Sequence, residues 1–177
     1  MRTCSTPNSE YVRLLADLRR LFAGRGYRRR GTTWYSDSRD LIRVFGFDPG
    51  QGPLAWTQFG LGIHLHALDK VHDPTVWDMI RPVRSRATHP QVEDCALSLG
   101  LQDLLAHHSE FGGLENPPDQ NMFGLRTATQ VVQITSKVAL PWLESFKTVD
   151  DVRRLVHSEC QSLLRIREPA KPILSCI

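Results

Sequence analysis

The hydrophobic positions near the start of the chain follow a helical period. In residues 7–23, apolar side chains recur every three or four positions, which places them along one face of a helix. These side chains are Tyr11, Leu14, Leu15, Leu18, Leu21 and Phe22. Gly24 and Gly26 follow, and glycine commonly ends helices. The pattern predicts an amphipathic helix whose apolar face packs on the rest of the fold.

The next three hydrophobic segments are typical of strands. Residues 27–35 and 41–47 are rich in aromatic and β-branched side chains, and the polar stretch between them predicts a turn. In residues 56–68, apolar side chains alternate with glycine and histidine. The short connections predict an antiparallel meander. Gly60 and Gly62 predict that another element approaches the sheet closely.

The middle of the chain is less regular. Three prolines interrupt residues 69–91, where we expect a loop with one short helix near residues 75–80. Residues 92–105 are apolar, and we predict a fourth strand over residues 92–99. Two consecutive prolines in residues 110–124 predict a long loop.

Helical patterns return toward the C-terminus. Residues 127–140 have apolar side chains at helical spacing, and we expect Pro141 to break this helix before a short helical turn over residues 141–146. Thr148, with Asp150 and Asp151 behind it, predicts the capped start of a last helix. Its apolar face is expected to include Val152, Leu155, Val156, Cys160, Leu163 and Leu164.

These elements predict an α+β fold. We expect an antiparallel meander of three or four strands, packed on one face by the N-terminal helix and the C-terminal helices. Residues 1–166 would form a single domain, and residues 167–177, which contain two prolines, would form a flexible C-terminal tail.

Composition narrows the functional classes. The chain of 177 residues has a formal net charge of +3 and a pI near 8.8, which is less basic than most nucleic-acid-binding domains. Its cysteines contain no Cys-x-x-Cys pair and are far apart, at Cys4, Cys95, Cys160 and Cys176. Neither a signal-peptide pattern nor an apolar run long enough to span a bilayer is visible. We therefore predict a cytoplasmic protein that does not bind membranes.

A basic cluster, Arg28, Arg29 and Arg30, lies beside aromatic residues. If residues 27–35 form one strand, alternation places Arg28 and Arg30 on one face with Trp34, and Arg29 on the other. Such a strand can bind phosphates and stack bases, or it can protect a sheet edge from aggregation. We favour the second interpretation because neighbouring arginines point to opposite faces. Ligand-binding candidates are Arg28, Arg30, Trp34, Arg43, His64 and His66.

His64 and His66 share one face of the third strand. Two histidines at this spacing can bind a metal, but zinc needs a third and usually a fourth ligand. Other candidate ligands are Asp69, His72, Asp73, His107 and His108. Because no spacing fixes a complete set, we expect polar histidines on the open face of a half-buried sheet. For the same reason no metal is predicted. No cofactor or catalytic residue is predicted either, since no nucleophile motif is present.

Three stretches carry a resemblance to a known family. They are FAGRGYRRRGTTWYSDSRDLIRVFGF, FGLGIHLHA and ALPWLESFKTVDDVRRLV. Together they resemble the bacterial domain-of-unknown-function family 4304, although CALSLGLQDLLAHHSEFGG lacks the tryptophan pair that the family often has in its middle. The resemblance implies a compact α+β fold and an uncharacterised role, with some relatives near toxin–immunity systems.

These observations predict a non-enzymatic cytoplasmic binding module. We expect its partner to be another protein, and an immunity-type role falls within this class. The alternative is a weak nucleic-acid-binding protein that uses the strand carrying Arg28 and Arg30. A third hypothesis is a metal-dependent hydrolase that uses His64 and His66.

Overall fold

A computed structural model describes residues 9–48, 58–69, 89–106, 128–157 and 163–175. The short helix expected near residues 75–80 and the loop expected over residues 110–124 lie outside the described residues. The same is true of the candidate ligands His72, Asp73, His107 and His108.

The described strands form one antiparallel sheet of six strands, which stand in the order in which they occur along the chain. The strands are β1 (Arg28–Arg30), β2 (Thr33–Asp37), β3 (Leu41–Asp48), β4 (Gln58–Leu65), β5 (Leu97–Gly100) and β6 (Arg165–Ile166). The α+β class and the antiparallel arrangement are confirmed, but the sheet has more than the three or four strands predicted. Residues 92–94 form a 3-10 helix, so the strand predicted over residues 92–99 begins only at Leu97, as β5.

The first predicted strand is in fact a hairpin. Gly31 has a φ of +60°, a backbone conformation that glycine adopts without strain, and the chain reverses at Gly31 and Thr32. Arg30 then pairs with Thr33, Arg29 with Trp34, and Arg28 with Tyr35. The turn changes which positions share a face, because partners across an antiparallel pair point to the same side.

Helices cover one side of the sheet, which we call the first face. Helix α1 (Ser9–Ala23) packs Leu14, Leu18 and Phe22 into the core, as predicted. Beneath it, β3, β4 and β5 contribute a continuous apolar layer to the same core. This layer contains Leu41, Phe45, Phe47, Phe59, Leu61, Ile63, Leu65, Leu97 and Leu99. The short helix α2 (Leu101–Ala106) follows β5 directly and buries Leu101 and Leu104.

Residues 128–145 form one continuous helical segment. Helix α3 (Ala128–Ile134) runs into a π-helical turn (Thr135–Ala139) and then into α4 (Leu140–Ser145). The prediction that Pro141 breaks the helix is wrong. In the π turn an amide bonds to the carbonyl five residues back, as Leu140 N does to Thr135 O, and this local widening accommodates a proline without an amide hydrogen.

The C-terminal residues are packed against the domain. Helix α5 (Val149–Val156) begins at the predicted cap, Thr148, but it ends before the predicted apolar face does. The chain then forms β6, a 3-10 turn (Glu168–Ala170) and α6 (Lys171–Ser175). Ala170 and Leu174 are buried, so the prediction of a flexible tail from residue 167 is wrong for the described part. None of the described helices is long and apolar enough to cross a membrane.

The opposite side, the second face, is crossed by the 3-10 helix Val92–Asp94. A Cβ atom added to Gly46 or to Gly60 would lie 2.9 Å from a Val92 methyl group, and one added to Gly62 would lie 2.4 Å from Cys95 Sγ. These distances are far below normal contact. The prediction that Gly60 and Gly62 admit another element is confirmed. With Tyr35, Ile42 and Val44, Cys95 forms a second, smaller core.

Candidate functional site: a basic sheet edge and a histidine–aspartate cluster

The three consecutive arginines form the outer strand of the described sheet. Arg28 and Arg30 are exposed and share the second face with Tyr35, whereas Arg29 points to the first face opposite Trp34. The sequence prediction that Trp34 shares a face with Arg28 and Arg30 is therefore wrong. The cause is the turn at Gly31 and Thr32, which divides one apparent strand into two.

Arg28 is held loosely at the surface of the second face. Its guanidinium carbon lies 5.1 Å from the centroid of the Tyr35 ring, within the range of a cation–π contact. Its Nη2 atom lies 3.7 Å from Asp37 Oδ2, and 64% of its side chain is exposed. An exposed pair at this distance is weak, so most of the charge of Arg28 remains available to a ligand.

Arg29 is bound more closely to its own hairpin. Its Nε donates to the carbonyl oxygen of Gly31 at 2.7 Å, and its guanidinium carbon lies 5.2 Å from the Trp34 ring centroid. Partial burial and, secondarily, the nearby charge of Arg19 lower the pKa of Arg29. Arg19 in α1 and Arg29 in β1 are thus neighbouring charges on the first face.

Trp34 belongs to the core and cannot stack on a base. It is 1% exposed and lies between two phenylalanine rings, with centroid distances of 5.1 Å to Phe22 and 5.8 Å to Phe47. The expectation that Trp34 belongs to a ligand-binding surface is therefore wrong. Tyr35, the aromatic residue beneath Arg28, is also buried.

Arg43 does not join the other candidate arginines. It is partly buried on the first face, where its Nε donates to the carbonyl oxygen of Phe146 at 2.8 Å. Its guanidinium joins β3 to the end of α4, which is a structural role. The six candidate residues therefore do not form one basic surface: only Arg28 and Arg30 lie together in the open.

The arginines near β1 differ in whether a carboxylate neutralises their charge. Among the described residues Arg20 pairs with Asp17 and Arg25 pairs with Glu144, while Arg30 has no described carboxylate as a partner. Burial and the positive charges of Arg30 and Arg28 lower the pKa of His89, which lies beneath them on the second face. We call Arg28 and Arg30 the basic edge.

A groove of about 610 Å³ adjoins the basic edge on the second face. Its lining includes glycines of three neighbouring strands, Gly46, Gly60 and Gly100, and Val92 packs over Gly46 and Gly60. Its walls carry charges of both signs, from Glu93, Asp103, Arg165 and Arg167. Thr33, the partner of Arg30 across the hairpin, also lines the groove. The Arg30 end of the basic edge therefore lies beside a concave surface of mixed charge, with Thr33 between them.

His64 is buried rather than exposed on an open face. It is 2% exposed, because the segment that follows Val92–Asp94 covers this part of the sheet. Its Nε2 lies 2.7 Å from Asp69 Oδ1, and its Nδ1 lies 3.3 Å from the carbonyl oxygen of Asp94. The predicted surface histidine is thus an internal residue whose two nitrogens are both engaged.

His66 follows β4 in a short 3-10 helix, with 30% of its side chain exposed. Its Nδ1 lies 3.1 Å from Asp69 Oδ2, and its Nε2 lies 2.9 Å from Asp37 Oδ1 and 3.2 Å from the carbonyl oxygen of Ser38. Partial burial opposes the charged ring, but the hydrogen bonds to Asp69 and Asp37 outweigh burial and raise the pKa of His66. We call Asp37, His64, His66 and Asp69 the histidine–aspartate cluster.

The cluster does not have the geometry of a metal centre. Within the described ranges, no group of three or more histidine, cysteine or acidic side chains could hold a metal ion. Asp69 bridges the two rings with one oxygen each, so the histidines face carboxylates rather than a common point. The arrangement can hold and transfer protons and can join strands.

Sequence reasoning missed one member of the site. The role of Asp37 depends on the pairing of β2, β3 and β4: Asp37 lies opposite Ile42, and Ile42 lies opposite His64. This register brings the end of β2 close to His66. The sequence feature that could have revealed Asp37 is the polar turn after it, because a short turn between β2 and β3 fixes which residues pair.

The fold and the site together define an α+β domain with a basic edge beside a groove of mixed charge. Comparisons with protein-family models, with curated proteins and with solved structures find no match. The resemblance to family 4304 therefore stays a prediction.

Proposed function

We propose that the chain is a non-enzymatic binding module that recognises an acidic surface of a partner protein. One observation carries this proposal: Arg28 and Arg30 stand exposed on the same side of the sheet, and the cross-strand partner of Arg30, Thr33, lines a concave surface with charges of both signs. Arginine side chains bind carboxylates with good geometry. A groove with both charges suits a protein surface, which presents acidic and basic groups together.

Nucleic-acid binding is the alternative, and it has less support. A single-strand binder needs exposed rings on which bases stack. Trp34 and Tyr35 are the aromatic residues of this hairpin beside the arginines, and both are buried. A phosphate backbone carries charge of one sign, whereas Glu93 and Asp103 in the groove suit a partner that also presents basic groups. An immunity-type role and the hydrolase hypothesis gain no further support from the described residues.

Binding of a fluorescent polyglutamate peptide, followed by anisotropy near physiological salt, tests the proposal. The variant Arg28→Ser/Arg30→Ser should bind about fivefold or more weakly, since each exposed pair contributes up to about 1 kcal/mol. Arg29→Ser is a matched control on the same strand. It should retain affinity because Arg29 points to the first face and donates to the Gly31 carbonyl of its own hairpin.

A single-stranded oligonucleotide of equal charge separates the two functions. If it binds more tightly than polyglutamate and depends on Arg28 and Arg30, the alternative replaces the proposal. If Arg29→Ser and a remote variant, Arg154→Ser/Lys171→Ser, weaken polyglutamate binding as much as the basic-edge variant does, then only net charge matters and the proposed site is wrong. Arg154 and Lys171 are exposed and lie in α5 and α6.

A further inference from the structure

Both ring nitrogens of His66 face oxygen atoms. Nδ1 faces Asp69, and Nε2 faces Asp37 and the carbonyl oxygen of Ser38. A neutral imidazole has one N–H donor and one acceptor, so it can satisfy only one of these sides. The observed geometry satisfies both sides only when the ring carries two protons and a positive charge.

The two carboxylates that hold His66 differ in their other partners. Asp69 is also held by His64, whose Nε2 lies 2.7 Å from Asp69 Oδ1. Asp37 has Arg28 as its other charged partner, at the longer distance of 3.7 Å. Asp37 contacts both cations, His66 through Oδ1 and Arg28 through Oδ2, so a weaker hold by His66 would leave this carboxylate free to move closer to Arg28.

We propose that His66 is a pH-dependent clamp that decides whether Asp37 is held by the histidine ring or by Arg28. With two protons, His66 holds Asp37 at the end of β4 and leaves Arg28 available on the basic edge. When His66 loses a proton, its hold on Asp37 weakens, and Asp37 pairs with Arg28 instead. The effect on binding rests on the proposed function, whereas the clamp itself does not.

The surrounding charged groups support this direction. Among the described residues, the groups around His66 and its partners are Arg28, Asp37, His64 and Asp69, with the backbone carbonyls of Ser38, Asp40 and Asp94. His89 lies beside Arg28, and Arg167 donates to the Asp94 carbonyl. Two carboxylates adjoin His66, and the hydrogen bonds to them raise its pKa above the ordinary value of 6.5. The clamp should therefore be closed in mildly acidic solution and open as the pH rises through that raised value.

Two-dimensional NMR of the histidine rings tests the clamp between about pH 5 and pH 9, a range that spans the ordinary histidine titration. In the wild-type protein His66 should titrate above its ordinary value, and Asp37→Asn should shift the midpoint downward. His66→Gln identifies the resonance, and His157→Gln is the control, because His157 is exposed at the end of α5. A wild-type His66 that titrates at or below the ordinary value overturns the proposal without any variant.

Polyglutamate binding across the same pH range tests the coupling to Arg28. Affinity should fall about threefold as the pH rises in the wild type and in His157→Gln, and it should stay constant in His66→Gln, since one exposed pair is worth about 1 kcal/mol or less. A fall that persists in His66→Gln overturns the coupling. If the wild type binds no polyglutamate at any pH, the proposed function fails, and the ring titration alone decides the clamp.

Discussion

At the scale of single residues, the start of α5 shows how an acidic side chain is held in its charged form. Asp151 Oδ2 accepts hydrogen bonds from the backbone amides of Lys147 and Thr148, at 2.8 and 2.9 Å. Thr148 Oγ1 in turn accepts from Asp151 N at 3.3 Å, which completes a capping box. These bonds, chiefly the two from backbone amides, lower the pKa of Asp151 to about 2 from 3.8.

The cap should therefore stabilise the domain in a pH-dependent way. A lowered pKa contributes stability that is present above the unfolded value and is lost as the pH falls through the folded value. Asp151→Asn should lower the free energy of unfolding by about 1 kcal/mol at neutral pH, as loss of a cap does. This difference should shrink as the pH falls from about 4 to about 2.

Urea denaturation at a series of pH values measures this effect. Asp150→Asn is the matched control on the same helix turn, since Asp150 is 75% exposed and makes only an exposed pair with Arg153. Equal losses of stability in the two variants, or a loss in Asp151→Asn that does not change with pH, would contradict the role of the cap.

At the scale of elements, the row of glycines on the second face makes room for the segment that precedes β5. The methyl groups of Val92 lie 2.9 Å from the positions that Cβ atoms on Gly46 and Gly60 would take. This contact holds the 3-10 helix Val92–Asp94 against β3 and β4. Valine is stiff about its χ1 angle, so it cannot turn aside to admit another methyl group.

A double-mutant cycle tests this packing. Gly60→Ala should lower the free energy of unfolding by about 1–3 kcal/mol through overpacking. Much of this loss should be recovered in Gly60→Ala/Val92→Ala, because only the Val92 Cβ then remains, at 3.4 Å. Gly24→Ala is the control, since its new Cβ would meet ordinary contacts of 3.6 Å. Strictly additive losses, measured by chemical denaturation, would show that the two positions do not interact.

Elements with a clear period could be predicted from the sequence, and their pairings could not. The apolar positions of α1 and the alternation in β4 specify which side chains are buried, because a helix and a strand have different periods. The hairpin at Gly31 leaves little trace, since one glycine inside a basic and aromatic stretch also suits a bulge. Without that turn, alternation places Trp34 on the face of Arg28 and Arg30, whereas in the structure Trp34 shares the face of Arg29.

The candidate site depends on the same pairings. The sequence points to Arg28, Arg30 and both histidines as candidates, because charged and polar residues are conspicuous in strands. Their environments depend on contacts between segments far apart in the chain, such as His64 with Asp94 and Arg43 with Phe146. No local pattern encodes these contacts, so the burial of His64 and the structural role of Arg43 required the structure.

At the scale of the whole molecule, the C-terminal segment completes the domain. Strand β6 pairs with β5, and Arg167 N donates to the carbonyl oxygen of Ala96 at 3.0 Å. Helix α6 packs on α5, where Arg153 Nε donates to the carbonyl oxygen of Ile173 at 3.0 Å. Two prolines in residues 167–177 predict a loose tail, but the buried side chains Ala170 and Leu174 anchor it.

This anchoring can be measured by truncating one side chain. Leu174 is buried, so Leu174→Ala should lower the free energy of unfolding by about 2–4 kcal/mol. Ser175→Ala is the control on the next, exposed residue and should have little effect. A denaturation midpoint for Leu174→Ala that equals that of the wild type would show that the segment is not docked in solution.

The order of the strands also has a consequence during synthesis on the ribosome. Each strand from β2 to β5 can pair with the strand made just before it, so most of the sheet can assemble while translation continues. Among the described strands, however, the outer edge of β5 has no partner until residues 165–166 have been made. Unpaired strand edges attract other chains. The nascent protein therefore carries an open edge at Leu97–Gly100 until β6 arrives and covers the Leu97–Ser98 part of it.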